Sequence, residues 1–315
     1  MTPLRRISYT PGVGTPPIQN PTHNFEETPR WPEGQQRPEP TPTAAPDPDN
    51  PPWGVLAGLG LVLLSFLLMA LTQAAFLVPY ALRRGVAMTP EALGEFALKD
   101  PGAIFVEVIS IIPAHLVTLA LAWALVTRFG RFPFLRTLGW RWGGGLTFWR
   151  SAGLAVALLG VGMLIVWLTG PTDNALERLI QSSRGAALAT AFAATFTAPI
   201  VEEILFRGVL YSPLRRMAGA SAAAIFVVLL FALIHVPQYW PSYGVIGTIL
   251  LLSAVLTAIR ARAGNLLPCF VVHFVFNSIQ AVLIVLNPYI EGLSPEKTAP
   301  APGLFVELFA RICGA

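Results

Sequence analysis

Seven long apolar stretches constrain the fold of this chain more than any other feature. They lie near residues 54–80, 103–127, 147–170, 185–212, 219–238, 243–259 and 264–288. About 20 apolar residues in a helix cross the hydrocarbon core of a bilayer. Only 12% of the residues are charged, against about 25% in soluble domains. The sequence therefore predicts an all-α, polytopic transmembrane helix bundle with about seven spans, or roughly six to eight given the usual boundary error.

Residues 1–52 differ in composition from the rest of the chain. They hold 14 of the 29 prolines and few aliphatic residues, and they show no hydrophobic periodicity. Such a segment cannot bury enough apolar surface to offset the entropy lost on ordering it. We therefore expect a disordered, proline-rich N-terminal tail.

Arginines concentrate in alternate loops between the spans. The loop between the second and third spans, together with the first residues of the third span, carries five arginines and no acidic residue. Two arginines follow the fourth span, Arg215 and Arg216, and two follow the sixth, Arg260 and Arg262. The positive-inside rule then places the N-terminal tail in the cytoplasm and the C-terminus outside. Membrane orientation accounts for the net charge of +4, so we expect no nucleic-acid partner.

Two adjacent carboxylates lie inside the fourth span. An ionisable group at mid-helix costs about 2.5–3.5 kcal/mol on insertion scales, so each needs a partner or a function. Glu203 and Arg207 are four residues apart, share a helix face and can pair. Glu202 points about 100° away from that pair. We therefore expect Arg207 to hold Glu203 ionised and Glu202 to be free for acid–base chemistry.

Two histidines bring further polar groups into the apolar spans. His235 lies in the fifth span, and His273 lies in the seventh with Asn277 four residues later on the same face. Counted from the flanking arginines, Glu202, His235 and His273 share a depth of ~16–22 Å. A carboxylate and two imidazoles at one depth would form a polar site in lipid, which water-activating chemistry requires. His115, a weaker candidate in the second span, is expected to hydrogen-bond a carbonyl freed by a nearby proline.

Two functions other than catalysis fit the same residues. Intramembrane glutamate and histidine can form the proton relay of a transporter, and polar residues can also serve only to pack helices in an immunity or scaffold protein. A transporter of this kind would show inverted repeats, and none is detectable in the sequence. Replacing Glu202 and His235 distinguishes these hypotheses, because an enzyme would lose its activity, whereas a scaffold protein would keep its phenotype.

Three short motifs give the sequence a family resemblance. They read Glu202-Glu203-x-x-x-Arg207, Phe231-x-x-x-His235 and His273-x-x-x-Asn277. Together they resemble the motifs of the CPBP (CAAX protease and bacteriocin-processing, or Abi) family, which includes the Ras-converting CAAX prenyl endopeptidases. The resemblance covers about residues 145–290. Each motif alone is weak, but their order and spacing in membrane helices make the combination specific.

The resemblance implies an all-helical intramembrane endopeptidase. By motif position, Glu202 would activate the water, helped by His235. His273 and Asn277 would stabilise the oxyanion, and Glu203 completes the catalytic set. The residues that would give structural support are Arg207 and Phe231.

The residues leave two mechanisms open. In one, Glu202 and His235 deprotonate the water directly. In the other, Glu202, His235 and His273 hold Zn²⁺, which makes its bound water acidic enough to lose a proton near neutral pH. The ligand types suit zinc, but no His-Glu-x-x-His motif is present. Zinc is therefore a possible cofactor that the sequence does not require.

Composition, the apolar spans and the resemblance together set the expected organisation, partners and location. The parts are a cytoplasmic tail (1–52), N-terminal membrane helices (53–145), a CPBP-like protease core (146–290) and a C-terminal tail (291–315) with an interfacial helix near 304–312. The expected partners are membrane lipid and the C-terminal region of a peptide or protein substrate, lipidated or not. The expected location is the bacterial cell membrane.

Overall fold

The chain folds into helices connected by short loops. The structure is a computed structural model that describes residues 46–170 and 172–291, with side chains through residue 286. Within these ranges there are helices and no strands. The helices are α1 (Val55–Arg83), α2 (Pro90–Lys99), α3 (Pro101–Thr127), α4 (Phe134–Thr137), α5 (Phe148–Thr169), α6 (Ala175–Ser182), α7 (Arg184–Ala218), α8 (Ala220–Tyr239), α9 (Tyr243–Ala263) and α10 (Leu267–Glu291).

Seven of the described helices are long and apolar enough to cross a membrane. They are α1, α3, α5, α7, α8, α9 and α10, and they coincide with the seven predicted spans. The predicted all-α transmembrane bundle is therefore confirmed in the described residues. The fourth span is longer than predicted, because α7 continues to Ala218 before it ends at Gly219. Gly219 has a φ of 83°, a left-handed value that glycine adopts without steric cost.

Two short helices, α2 and α6, form in loops where the sequence predicted none. Each has a side-chain cap at its N-terminus, which favours helix formation. Thr89 Oγ1 accepts a hydrogen bond from Ala92 N at 3.2 Å, and Asn174 Oδ1 accepts one from Glu177 N at 3.0 Å. Because α2 and α6 follow the first and third spans, both lie at the same end of the bundle.

The central helix of the bundle is α7. Half of its most apolar window is buried inside the protein (50%), compared with 17–39% for the other six spanning helices. Every residue from Glu203 to Leu210 is buried. Phe206 and Phe231 meet edge to face in the core around this helix, with ring centroids 5.2 Å apart. Polar groups on α7 are therefore enclosed by the other helices.

Two turns of α7 are wider than a regular α-helix. They are π-helical and span Ala193–Thr197 and Glu203–Leu210. A proline follows each of them, at Pro199 and Pro213, and a proline has no N–H to donate to the preceding turn. Wide turns of this kind often occur at functional sites. The sequence predicts regular α-helical spacing here, so the wide turns are a new feature of the structure.

The folded part of the chain includes residues that the sequence assigned to the disordered tail. Residues 46–52 are described and contact the helices, whereas residues 1–45 lie outside the described residues. Asp49 forms ion pairs with two of the arginines that had suggested membrane orientation, Arg215 and Arg260. The predicted interfacial helix near 304–312 also lies outside the described residues.

Candidate active site

The side chains of Glu202, His235 and His273 lie together inside the bundle. They come from three different helices, α7, α8 and α10. Glu202 Oε1 is 4.0 Å from His235 Nε2, and Glu202 Oε2 is 3.7 Å from His273 Nε2. The structure thus brings together the three groups that the sequence placed at one depth. The side chain of Glu202 is 21% exposed and that of Glu203 is 0% exposed, so only Glu202 can meet a ligand directly.

Both imidazoles direct the same ring nitrogen towards Glu202. His235 Nδ1 lies 2.6 Å from Phe231 O, and His273 Nδ1 lies 2.9 Å from Glu203 Oε1. A carbonyl and a carboxylate oxygen accept hydrogen bonds, so each Nδ1 is the donor. The hydrogen bond at one ring nitrogen sets the role of the other. In the neutral ring, each Nε2 therefore has a lone pair directed towards Glu202.

The distances from Glu202 to the two imidazoles suit a bridging water. A direct hydrogen bond between nitrogen and oxygen spans about 2.7–3.2 Å. The separations of 4.0 and 3.7 Å are longer than that, and polar groups at such distances are commonly joined through water. A water molecule beside Glu202 could donate one hydrogen to the carboxylate and the other to His235 Nε2. This arrangement is suited to removing a proton from water.

Glu203 and Arg207 form the predicted pair, and both are fully buried. Arg207 Nη1 lies 3.1 Å from Glu203 Oε1, and neither side chain is exposed. Arg207 also donates to Ser253 Oγ at 2.8 Å and to Thr257 Oγ1 at 3.3 Å, and its guanidinium stacks over the Phe231 ring at 4.4 Å. Glu203 Oε2 has no hydrogen-bond partner among the described residues. The carboxylate therefore depends on the two donors at Oε1, which are Arg207 and His273.

Asn277 contacts the first wide turn of α7. Ala198 N donates to Ala193 O in this turn, and Pro199 has no N–H to offer the next carbonyl. Asn277 Nδ2 supplies the missing donor, at 2.9 Å from Ala194 O. One N–H of the Asn277 amide thus holds the helix, and an amide carries two. The predicted oxyanion contact would use the second.

Phe231 lies at the centre of the site, as a residue of structural support would. It is 1% exposed. Its ring centroid is 4.7 Å from that of His235 and 6.0 Å from that of His273. Because its carbonyl also accepts from His235, Phe231 fixes both the position and the tautomer of that imidazole.

Two further polar residues contact elements of the site. His115 is one, but its Nδ1 bonds Thr197 Oγ1 at 2.9 Å rather than a backbone carbonyl, which corrects the sequence expectation. Tyr239 is the other, and its ring lies parallel to His235 at 6.5 Å. Tyr239 is not among the residues predicted from the sequence. Its position four residues after His235, on the same helix face, was the signal that could have identified it.

The described residues offer no metal-binding group. No set of three His, Cys, Asp or Glu side chains among them is arranged to hold a metal ion. The zinc alternative from the sequence therefore finds no ligand set here, and the chemistry proposed below uses the side chains alone.

Comparison with known proteins identifies part of this region. Residues 184–279 match the family described as type II CAAX prenyl endopeptidase, Rce1-like. All three sequence motifs fall inside the match. Over this segment, the chain is similar to that family. Neither the curated proteins nor the solved structures give a significant match.

The family match agrees with the resemblance seen in the motifs. The matched segment begins with α7 and ends within α10, so it contains Glu202, His235 and His273. Helices α1 to α6 lie outside it. The seven spanning helices, together with the Rce1-like match over residues 184–279, indicate an integral membrane protein.

Proposed function

We propose that this protein is an intramembrane endopeptidase in which Glu202 and His235 activate a water molecule to hydrolyse a peptide bond. The observation that carries the proposal is the accessible Glu202 carboxylate with an imidazole Nε2 at 4.0 Å on one side and another at 3.7 Å on the other. The Rce1-like match over the same residues supports a protease.

The proposed reaction begins with water held between Glu202 and His235. Glu202 takes one proton from the water, and the water oxygen bonds to the carbonyl carbon of the scissile peptide. The π electron pair of the carbonyl moves to its oxygen, which becomes a tetrahedral oxyanion. The oxyanion then reforms the carbonyl while the C–N bond breaks. The proton held by Glu202 passes to the leaving nitrogen, so the products are a carboxylic acid and an amine.

His273 and Asn277 are the proposed donors to the oxyanion. Glu202 and Glu203 carry two negative charges against the single positive charge of Arg207. A proton on His273 Nε2 would balance the site and supply an N–H where negative charge develops. The second N–H of Asn277 would supply another. Fixed donors of this kind stabilise the transition state because they need no reorganisation during the reaction.

The proposed substrate is the C-terminal region of a membrane-associated peptide or protein. The family description names CAAX prenyl endopeptidases, so a prenylated CAAX peptide is the first substrate to test. We also propose that the N-terminus is cytoplasmic in a bacterial cell membrane, because the five-arginine loop faces the same side as the N-terminal segment. Accessibility of a cysteine placed in that loop to a membrane-impermeant reagent tests the orientation.

The decisive experiment is cleavage of fluorogenic peptides by the purified full-length protein in detergent or lipid discs. We expect Glu202→Gln and His235→Ala to lower kcat by at least about 100-fold, the lower range for a general acid–base group. Glu95→Gln is the matched control, since it removes an exposed carboxylate that pairs only with Lys99 among the described residues. Cleavage retained by both site variants would refute the proposal, and a packing or proton-relay role would then replace it.

A further inference from the structure

Residues 46–53 form a short segment, called here the N-terminal strap, that packs against the ends of α7 and α9. It lies outside the part of the chain that matches the family. Arg216 of α7 donates to Pro51 O and Trp53 O, each at 2.6 Å. The Trp53 side chain is buried, with 6% exposure. The strap is therefore fixed to the bundle by specific contacts.

Asp49 connects the strap to a buried charge on α9. Its Oδ1 pairs with Arg260 Nη1 and its Oδ2 pairs with Arg215 Nη1, both at 2.8 Å. The side chain of Arg260 is 0% exposed, and that of Arg215 is 36% exposed. A buried charge needs a partner far more than an exposed one does. Asp49 thus compensates Arg260, while water can compensate Arg215.

Arg260 also forms hydrogen bonds with α7, the helix that carries Glu202 and Glu203. Its Nε donates to Arg207 O at 3.1 Å, and its Nη2 donates to Ser212 Oγ at 2.8 Å. Arg207 belongs to the wide turn Glu203–Leu210, and its own side chain holds Glu203. The contacts of the strap therefore extend through Arg260 to Arg207, which pairs with Glu203, the partner of His273.

Trp53 holds the same wide turn from the strap directly. Its Nε1 donates to Val209 O at 2.9 Å in the buried interior. Pro213, four residues after Val209, has no N–H for this carbonyl. A buried carbonyl that lacks a helical donor needs one from elsewhere, and the indole supplies it.

We propose that the strap is a positioning element of the active site. Asp49, through Arg260, and Trp53 hold the wide turn open, so that Glu203 stays directed at His273. Closing the turn to regular α-helical spacing would rotate Glu203 away from its partners. The catalytic consequence rests on the proposed function, whereas the effect on the helix does not.

The test compares Asp49→Asn and Trp53→Phe with Arg215→Gln in the full-length protein. Asp49→Asn removes the compensating charge, and Trp53→Phe removes the indole N–H together with part of the buried ring. Arg215→Gln is the control, because it deletes an equally short ion pair of the same carboxylate and leaves the Arg260 connection intact. Hydrogen exchange of the backbone amides in residues 203–214 measures the local stability of the wide turn independently of catalytic activity.

We expect faster exchange in residues 203–214 for Asp49→Asn and Trp53→Phe. A misplacement of about 1 Å can cost ~100-fold in rate, so we expect kcat to fall at least tenfold with KM unchanged. Arg215→Gln should keep wild-type exchange and kcat. Wild-type exchange in both strap variants would overturn the proposal, and so would an equal loss of kcat in Arg215→Gln. If the wild-type protein cleaves nothing, the proposed function fails, but the exchange result still decides whether the strap holds the turn.

Discussion

Removing Arg207 tests whether the buried ion pair is the main polar support of the site. The variant Arg207→Met keeps a long apolar side chain but leaves the Glu203 carboxylate without its compensating charge. Glu203 Oε2 already has no hydrogen-bond partner among the described residues, so His273 would be the only donor left. We expect the protein to fold with a substantially lower free energy of unfolding.

The size of this loss follows from the burial of both partners. Neither side chain is exposed, and removing one member of such a pair typically costs about 3–5 kcal/mol. The lost bonds to Ser253 and Thr257 contribute less, because they leave neutral hydroxyl oxygens without a donor, whereas Glu203 is left as a buried charge. The double variant Glu203→Gln/Arg207→Met removes the orphaned charge and keeps an oxygen that accepts from His273. It should recover at least about half of the loss, since most of the destabilisation comes from the uncompensated charge.

Reversible unfolding of the full-length protein in mixed micelles, followed by circular dichroism, measures the three free energies. The single variant should unfold at a much lower mole fraction of denaturing detergent than wild type, with the double variant between them. The reasoning is wrong if the single variant lies within about 1 kcal/mol of wild type, the typical cost of an ordinary substitution. It is also wrong if the double variant is no more stable than the single one.

Three further predictions concern the neighbourhood of the site and the packing of the bundle. Tyr239→Phe should lower kcat by at least about tenfold, because it removes the hydroxyl group from the ring that lies parallel to His235, whereas Tyr243→Phe, on a side chain with 64% exposure, should not. Gly244→Ala should lower the free energy of unfolding by about 1–3 kcal/mol through overpacking, since its Cβ would meet Val166 Cα at 3.0 Å, and Gly160→Ala should not, because nothing lies within 4 Å. Cys269→Ser should retain cleavage in the peptide assay, because its thiol is buried and already donates to Leu256 O.

The spanning helices could be predicted from the sequence because each carries its own signal. A run of about 20 apolar residues must satisfy its backbone hydrogen bonds internally in lipid, and a helix does so without help from the rest of the chain. The helix α2 depends instead on its Thr89 cap, and residues 46–52 depend on contacts with distant arginines. Composition correctly identified this segment as proline-rich, but it could not predict that Asp49 would pair with the buried Arg260.

The candidate site was predictable in its members and less so in its contacts. Placing an ionisable residue inside an apolar span costs free energy, so Glu202, His235 and His273 stand out in the sequence alone. The pairing of Glu203 with His273 joins residues 70 positions apart, and no local rule encodes it. The same holds for Asn277, whose contact with Ala194 O exists because Pro199 withholds a donor from a wide turn.

The wide turn also explains how two adjacent glutamates can differ so much in surroundings. Consecutive residues on a helix point in different directions, so Glu202 and Glu203 cannot share one environment. Glu203 opens the π-helical turn that runs to Leu210, and its carboxylate is enclosed with Arg207 and His273. Glu202 ends the preceding α-helical turn and reaches the accessible side, between the two imidazoles. Because Glu203 orients His273 while Glu202 faces its Nε2, the two carboxylates act on opposite edges of one imidazole, and a change in the turn would alter both together.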